Sequence, residues 1–387
     1  MTIGHMAVGT LDQARALYLH VPFCRHRCGY CNFTLIAGRD DLVDRYLSAL
    51  EREMDDWPRA IQLDTLFLGG GTPSHLSPTQ LRRLGKIIRD RFELSPSLEF
   101  TAECNPNDLQ PDTVEALCQI GVNRLSLGIQ SFDDRKLNFL ERTHQRSDAI
   151  DAIRSARQAI NNLSIDLIFA CPGESRSDWE ADLETALAQQ PDHLSVYELT
   201  YEKGTRFWNR LNRGELQQLD EDLRAALYQQ AIDQLTAAGL EQYEISSFSR
   251  PGYRCRHNHV YWRGAPFLAA GPGASRFVGG VRQTNHRSTT QYLKLIEAGE
   301  SPIAESEQVE PLGMAQDLIA FGLRLLDGIP LELFRHKTGA ELVDFLGATG
   351  EWLSAEGLIS IDQETCRLTE RGVLVYDSIA EHVYRLQ

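Results

Sequence analysis

Three of the eight cysteines fall within eight residues of one another, in HVPFCRHRCGYCNF, as Cys24-x3-Cys28-x2-Cys31. Thiolates this close can each take one iron of a cubane [4Fe–4S] cluster. Four cysteines close such a cluster. Three leave one iron free for an outside ligand, and an amino acid's amine and carboxylate can chelate that position. Phe33, two residues beyond Cys31, supplies no further thiolate. Zinc is the alternative, with His20 or His26 as fourth ligand, although zinc sites usually add a second, distant ligand pair. Unligated thiols at this density on a loop would be open to oxidation. The clustering points to metal ligation in a reducing compartment, the cytoplasm, rather than to a disulfide framework.

A second set of residues could form a pocket. Gly69-Gly70-Gly71-Thr72-Pro73 removes three Cβ atoms, so that a ligand could lie against backbone groups. No G-K-[ST] follows, so this is not a phosphate-binding P-loop. Glu103 (in AECNP), Gln130 (in GIQSF), Arg142 (in FLERTH) and Asp166 (in IDLIFACPG) each sit at or near the end of an apolar run. Singly, such a charge is usually solvated or salt-bridged; together they would face one cavity.

The elements that must position these residues alternate. Strand candidates are ALYLHVPF (16–23), TLFLGG (65–70), LEFTAEC (98–104), RLSLGIQ (124–130), LSIDLIF (163–169) and HLSVYEL (193–199), with amphipathic helical patterns between them. Ser77-Pro78 predicts a helix N-cap followed by proline at the first helical position. Such alternation implies a parallel sheet with right-handed crossovers. The fold class expected is α/β, a partial (β/α)6 barrel, since a full (β/α)8 barrel would need two more units. Its loops at the C-terminal strand ends, the cysteine loop among them, are where function collects. EQYEISSFS predicts an additional strand. The expected domains are a barrel over 1–250, a loop-rich capping segment over 251–305, and a small winged-helix-like domain over 306–387.

C-x3-C-x2-C after the first strand of a βα repeat resembles the radical S-adenosylmethionine (SAM) superfamily. The resemblance implies a [4Fe–4S] cluster on Cys24, Cys28 and Cys31, with SAM on the open iron. It implies that Gly70, Gly71 and Thr72, in G-G-G-T-P, bind the methionyl amino group. The sequence also resembles the branch that contains the oxygen-independent coproporphyrinogen III oxidases. That resemblance carries Glu103, Gln130, Arg142 and Asp166 into the SAM pocket. A guanidinium suits the methionyl carboxylate and carboxylates suit ribose hydroxyls. It also implies aromatic positions near the cluster at Tyr18 and Tyr30, and a further contact at Thr200.

Two departures separate the chain from the oxidases of that branch. They carry C-x3-C-x2-C-x-C, where this chain has Phe33, and a long N-terminal segment, where this chain has about 16 residues. Both agree with the HemW-type haem chaperones, as does His257-Asn258-His259-Val260-Tyr261-Trp262, which fits that group's H-N-x-x-Y-W motif. Imidazole is a good axial haem ligand, and Tyr and Trp are flat partners for a porphyrin. Hence His257 is the expected haem contact, with Cys255 as a thiolate alternative. The bland alternative is a loop whose His and aromatics pack on the barrel mouth. Ser275-Arg276 departs from the Gly-Ala-His pattern of many relatives. The resemblance further implies haem-acceptor proteins, a flavodoxin-type reductant and a homodimer. The competing class is a radical enzyme acting on a porphyrinogen or another substrate.

A formal charge of −15 argues against a broad nucleic-acid surface, so the winged-helix-like segment is expected to serve packing or interaction. No apolar run approaches the roughly 20 residues of a membrane span. The N-terminus lacks the basic-then-apolar pattern of a signal peptide. Cys104, Cys118, Cys171 and Cys366 are expected to be small buried apolar residues.

Overall fold

Six strands run parallel and in chain order through the centre of the molecule. They are β1 (Ala16–Val21), β2 (Ile61–Gly70), β3 (Phe92–Cys104), β4 (Arg124–Gln130), β5 (Asn162–Phe169) and β6 (His193–Glu198). The structure is a computed structural model that describes residues 14–55, 57–58 and 61–386. The expectations about the N-terminal residues 1–13 lie outside the described residues. Both faces of the sheet are covered, so the strands are near-continuous apolar runs; β1 buries Leu17, Leu19 and Val21 completely.

Register brings the six C-terminal ends to one rim. Val21 lies opposite Gly70, Leu68 opposite Ala102, Cys104 opposite Leu127 and Phe169 opposite Glu198. The helices that return the chain bury one stripe each. Pro78–Arg91 buries Leu81, Leu84, Ile87 and Ile88. It begins at the predicted cap: the Ser77 hydroxyl accepts from Gln80 N–H at 3.3 Å, and the Gln80 side chain accepts from Ser77 N–H at 3.0 Å. This reciprocal box satisfies two of the helix's free donors.

The structure extends the expected sheet. β2 and β3 start earlier than their apolar runs because Ile61–Leu63 pairs with Phe92–Leu94, beyond an irregularity at Leu63 and Thr65. Polar residues such as Asp64 and Ser97 interrupt the alternation there and hide the pairing. EQYEISSFS makes two strands, Glu241–Glu244 and Ser247–Ser249, which extend the sheet antiparallel beyond β6. Leu268–Ala270 pairs parallel with β1 on the other side, giving nine strands.

The expected loop segment after 250 contains a short helix, Arg256–Trp262, and two strands, Ser275–Val278 and Val281–Asn285. These pair with Ile303–Gln308 in a three-stranded sheet. The boundary expected at 305–306 therefore falls inside a strand, because the acidic IAESEQ gives no apolar alternation to read. The C-terminal unit starts at Pro311 and has its own core around Ile319, Phe334, Leu346 and Cys366. Helices Pro311–Gly322, Leu331–Thr338 and Leu342–Ala355 pack with a three-stranded antiparallel sheet built from Ile329–Pro330, Thr365–Leu368 and Ile359–Ile361. Helix-strand-helix-helix followed by a β-hairpin is the winged-helix order.

Candidate functional site

The rim encloses a cavity of about 1030 Å³, and the three thiols of Cys24, Cys28 and Cys31 are on its wall. Tyr30, Gly70, Gly71, Thr72, Glu103, Gln130, Arg142, Asp166 and Thr200 line the same cavity. Tyr18 and His257 do not.

The cysteine loop is held from several sides. Phe23–Cys24 forms a short parallel pair with Ile36–Ala37. Arg27 donates to the carbonyls of Cys31, Phe33 and Leu35, and Arg287 to that of Asn32. Helix Arg206–Asn212 clamps the outer turn: Phe207 N–H donates to Gly29 carbonyl at 2.9 Å. A Cβ on Gly29 would come within 2.3 Å of the Phe207 ring, which favours glycine at position 29.

A hydrogen-bonded arc runs behind the thiols. The Cys24 sulfur lies 3.2 Å from the Thr72 hydroxyl, which accepts the Asn105 amide at 2.8 Å. Asn105 Oδ1 accepts from Arg142 Nη2 at 2.6 Å, and Arg142 Nη1 stands 3.7 Å from the Cys28 sulfur. Burial raises the Cys31 thiol, so metal loading has to release its proton. Arg142 Nε and Gln130 Oε1 are buried without a hydrogen-bond partner. Soft donors on one wall, a cation beside them and two orphaned polar atoms fit a cluster with a polar ligand. His20 is not available to zinc: Nδ1 meets Tyr18 hydroxyl at 3.1 Å and Nε2 meets Thr34 carbonyl at 2.6 Å. Burial lowers its pKa to about 4. His26 lines the cavity, with Nε2 3.9 Å from Glu141.

The glycine turn has an inward reason as well as an outward one. Gly70 has φ +106°, and a Cβ there would meet the His20 ring at 2.4 Å. A Cβ on Gly71 would meet Phe23 carbonyl oxygen at 2.6 Å. Gly70 N–H donates to Glu103 Oε2 at 3.0 Å, so one backbone donor expected to face a ligand is already engaged.

Glu103 and Asp166 are close enough to repel. Burial first, and then the Asp166 charge, pushes Glu103 up to about 7. Burial also raises Asp166, opposed by hydroxyls that donate to it: Ser126 Oγ at 2.9 Å and Ser164 Oγ at 3.2 Å. Ser164 in turn meets His193 Nδ1 at 2.8 Å, His193 Nε2 meets Tyr243 hydroxyl at 2.8 Å, and Tyr243 oxygen accepts Cys255 N–H at 3.2 Å. With Ser164 donating to Asp166, the proton of His193 belongs on Nδ1. Burial holds that imidazole neutral.

Tyr18 and His257 occupy the barrel interior below this level. Tyr18 stacks on Phe67, its hydroxyl on His20. The helix that carries H-N-x-x-Y-W is anchored by its first N–H groups: those of Arg256 and His257 donate to Glu99 at 3.0 and 2.9 Å. His257 is 1% exposed. Its Nδ1 lies 2.9 Å from Thr65 hydroxyl, its Nε2 2.7 Å from Tyr261 hydroxyl, and its ring stacks on Phe67. Thr65 is five residues before Gly70 on β2, about 16 Å along a strand. Both ring nitrogens of His257, the expected haem contact, are engaged in the barrel floor, and the residue does not line the cavity that holds the thiols. Cys255 is fully buried beside it, and burial raises its thiol to about 12. Arg276 stacks on Trp57 and binds Gln283, away from the cavity. His144 Nε2 donates to the Ile129 carbonyl at 3.0 Å, and the residue is buried.

Sequence reasoning missed Asn105, Gly29 and a whole wall. Val373, Leu374, Val375 and Tyr376, from the C-terminal unit, close one side of the cavity opposite the end of β6. Asn105 follows Cys104 within AECNP, so its place at a strand end was a usable signal. The wall gave none, because the contact is between separate units.

Comparison with known proteins identifies the family. Residues 18–186 match the model of the radical SAM superfamily, and residues 311–375 that of the HemN C-terminal domain. A curated Bacillus subtilis protein named "Heme chaperone HemW" is 34% identical, across 94% of this chain and 98% of its own. The protein of that name from Mycobacterium tuberculosis strain H37Rv is 35% identical, across 95% and 94%. The zebrafish (Danio rerio) protein "Radical S-adenosyl methionine domain-containing protein 1, mitochondrial" is 31% identical, across 94% and 85%. Among solved structures, coproporphyrinogen III oxidase (HemN) from Escherichia coli superposes with TM-score 0.85 over 98% of this chain and 92% of that one, at 22% identity, a likeness of fold. The chain belongs to the radical SAM superfamily and, within it, to the family of the HemW haem chaperones.

Proposed function

We propose that this protein is a haem chaperone: it holds haem and passes it to acceptor haemoproteins in the cytoplasm. The observation that carries the proposal is identity over almost the full length with relatives named as haem chaperones. Cys24, Cys28 and Cys31 would hold a [4Fe–4S] cluster. When bound, that cluster supplies an open iron for the amine and carboxylate of SAM and, when reduced, one electron. Arg142 offers the carboxylate a guanidinium already fixed by Asn105 and by Gly128 carbonyl. Asp166, oriented by Ser126 and Ser164, offers an acceptor to ribose hydroxyls, and Glu103 does so once ionised. Gln130 Oε1 adds an acceptor without a partner in the protein. Gly70, Gly71 and Thr72 shape the turn beneath the methionyl end. Tyr30 packs beside Arg142 and the thiols, and Thr200 lies at the outer edge. The proposed partners are haem, its acceptor proteins, a flavodoxin-type reductant and a second copy of the chain. Among the described residues no helix is long and apolar enough to cross a membrane.

The fold match to an oxidase keeps a second reading in play, a radical enzyme acting on coproporphyrinogen III. Phe33, where oxidases of the branch carry another cysteine, counts against it. The test is anaerobic reconstitution with iron and sulfide, then haem titration followed by visible absorption, with coproporphyrinogen conversion assayed on the same sample. Stoichiometric haem binding without turnover supports the chaperone. Turnover to protoporphyrinogen without a stable haem complex assigns the oxidase.

A further inference from the structure

The chain is acidic as a whole, with a formal charge of −15, yet two stretches of it hold no Asp or Glu. Residues 13–39, which include the cysteine loop, have four arginines, and residues 245–296 have eight Lys or Arg. The fold sets part of the second stretch against the first. Arg287 donates to Asn32 carbonyl at 2.9 Å and to Thr34 hydroxyl at 3.2 Å. From the other side Arg27 donates to the carbonyls of Cys31, Phe33 and Leu35. Both guanidiniums are exposed and fixed on the segment that leaves Cys31. Among the described residues neither is paired with a carboxylate, whereas the nearby Arg25 and Arg206 are paired with Asp108 and Glu141. Phe33, between them in the chain, is 56% exposed, more than any other large hydrophobic side chain described. An exposed aromatic flanked by two uncompensated arginines has the composition found at the centre of protein interfaces.

Charge selects the partner. The far side of the cavity bears Glu202, Glu221, Asp222 and Asp377, so an acidic protein is repelled there and drawn to the cysteine loop. Position selects what the partner does. Phe33 is two residues from Cys31, about 7 Å of chain. The proposed cluster takes one electron from outside, and its cavity side is where SAM would lie. Arg27 and Arg287 stand outside the cavity lining, which leaves the outer face of the loop as the short open approach.

We infer that Arg27, Phe33 and Arg287 form the docking surface for an acidic one-electron carrier protein that reduces the cluster past Cys31. This rests on the cluster proposed for Cys24, Cys28 and Cys31 and adds to it the place where its electron enters. A flavin hydroquinone on the partner gives up one electron and becomes the flavin radical. The oxidised cluster takes that electron, and no bond forms or breaks. Encounters of this kind bury less than about 1200 Å² and form quickly under electrostatic attraction, so a patch this small is enough.

The test uses the full chain with its cluster reconstituted and an acidic flavodoxin as the probe. Cluster reduction by flavodoxin hydroquinone is followed by stopped-flow absorbance. Calorimetry with oxidised flavodoxin, in which no electron moves, reads the affinity. Reduced methyl viologen, a small cation, reports on the cluster itself. Arg27→Gln with Arg287→Gln should slow reduction by flavodoxin, and weaken its binding, at least about tenfold at low salt. The gap should close near 1 M salt, where the screening length is about 3 Å. Viologen should reduce the variant and the unaltered protein alike. Both arginines also brace the loop, so Phe33→Ala is measured beside them and decides alone if the arginine pair fails to take up iron. Several-fold weaker flavodoxin binding is expected there. Unchanged flavodoxin rate and affinity overturn the docking surface. Equal slowing with both donors shows the substitutions acting on the cluster and overturns it too. Loss of a dimer with flavodoxin reduction unchanged gives the surface to a second copy of the chain, again overturning it. An unaltered protein that takes up no iron overturns the cluster reading, and the docking surface with it.

Discussion

Arg142 donates to Asn105 across 2.6 Å, and that bond joins the two ends of the cysteine loop. On one side Asn105 reaches Thr72 and, through it, Cys24; on the other Arg142 stands against Cys28. Asn105→Ala leaves a buried guanidinium short of an acceptor, which costs about 1–3 kcal/mol. Urea unfolding of the apo chain should show that loss, and the reconstituted variant should release iron faster. An unaltered midpoint and iron retention would show that the arc does not hold the loop.

Replacing Cys24, Cys28 and Cys31 together by Ala should abolish iron and acid-labile sulfide after anaerobic reconstitution. The fold should survive, because only Cys24 of the three is buried. A full complement of iron in the triple variant would sink the cluster assignment. Zinc with no iron in the unaltered protein would favour the zinc alternative.

Glu103 titrates near 7 in the fold, against an ordinary value of 4.5. Between those pH values the unfolded chain has given up the proton while the folded chain keeps it. Its stabilising contribution is therefore complete below pH 4.5 and is lost as pH rises through 7. Glu103→Gln should flatten this part of the stability–pH curve of the apo protein. An unchanged slope in urea titrations between pH 5 and 7.5 would count against the shift.

His193→Ala removes the link between Tyr243 and Ser164 and lets Asp166 turn. The expected outcome is several-fold weaker SAM binding by the reconstituted protein, together with a stability loss of roughly 2–4 kcal/mol. If stability falls but SAM affinity does not, His193 serves packing alone and does not orient Asp166.

His257→Ala should act on stability rather than on haem. It orphans the Thr65 and Tyr261 hydroxyls and leaves a void, for roughly 2–4 kcal/mol, with haem affinity and cluster absorption unchanged. Burial lowers the His257 pKa to about 3, from an ordinary 6.5. The stability tied to its neutral form is thus present above pH 6.5 and lost as pH falls toward 3. The acid dependence should be weaker in the variant. A large loss of haem affinity with normal stability would return His257 to the cargo site.

The sequence by itself determined the cysteine spacing, the six core strands and the start of helix Pro78–Arg91. These depend on neighbours a few residues apart: apolar periodicity, a cap followed by proline, thiols on one loop. Parallel register then had to carry Glu103, Gln130 and Asp166 to the rim that holds Cys24, so this half of the site was legible. Only the tertiary structure decided the rest. H-N-x-x-Y-W has the residue types of a haem site, yet its helix lies in the barrel floor, because the Glu99 carboxylate anchors its first N–H groups and Thr65 takes the imidazole. Both partners are distant in sequence. Gly70 and Gly71 look outward in the motif but are required by His20 and Phe23 beneath them. Leu374 and Val375 look like ordinary residues at a helix end until the C-terminal unit places them on the wall of the cavity that Tyr197 also lines. Direction and burial of a side chain depend on contacts across the chain, which local pattern does not encode.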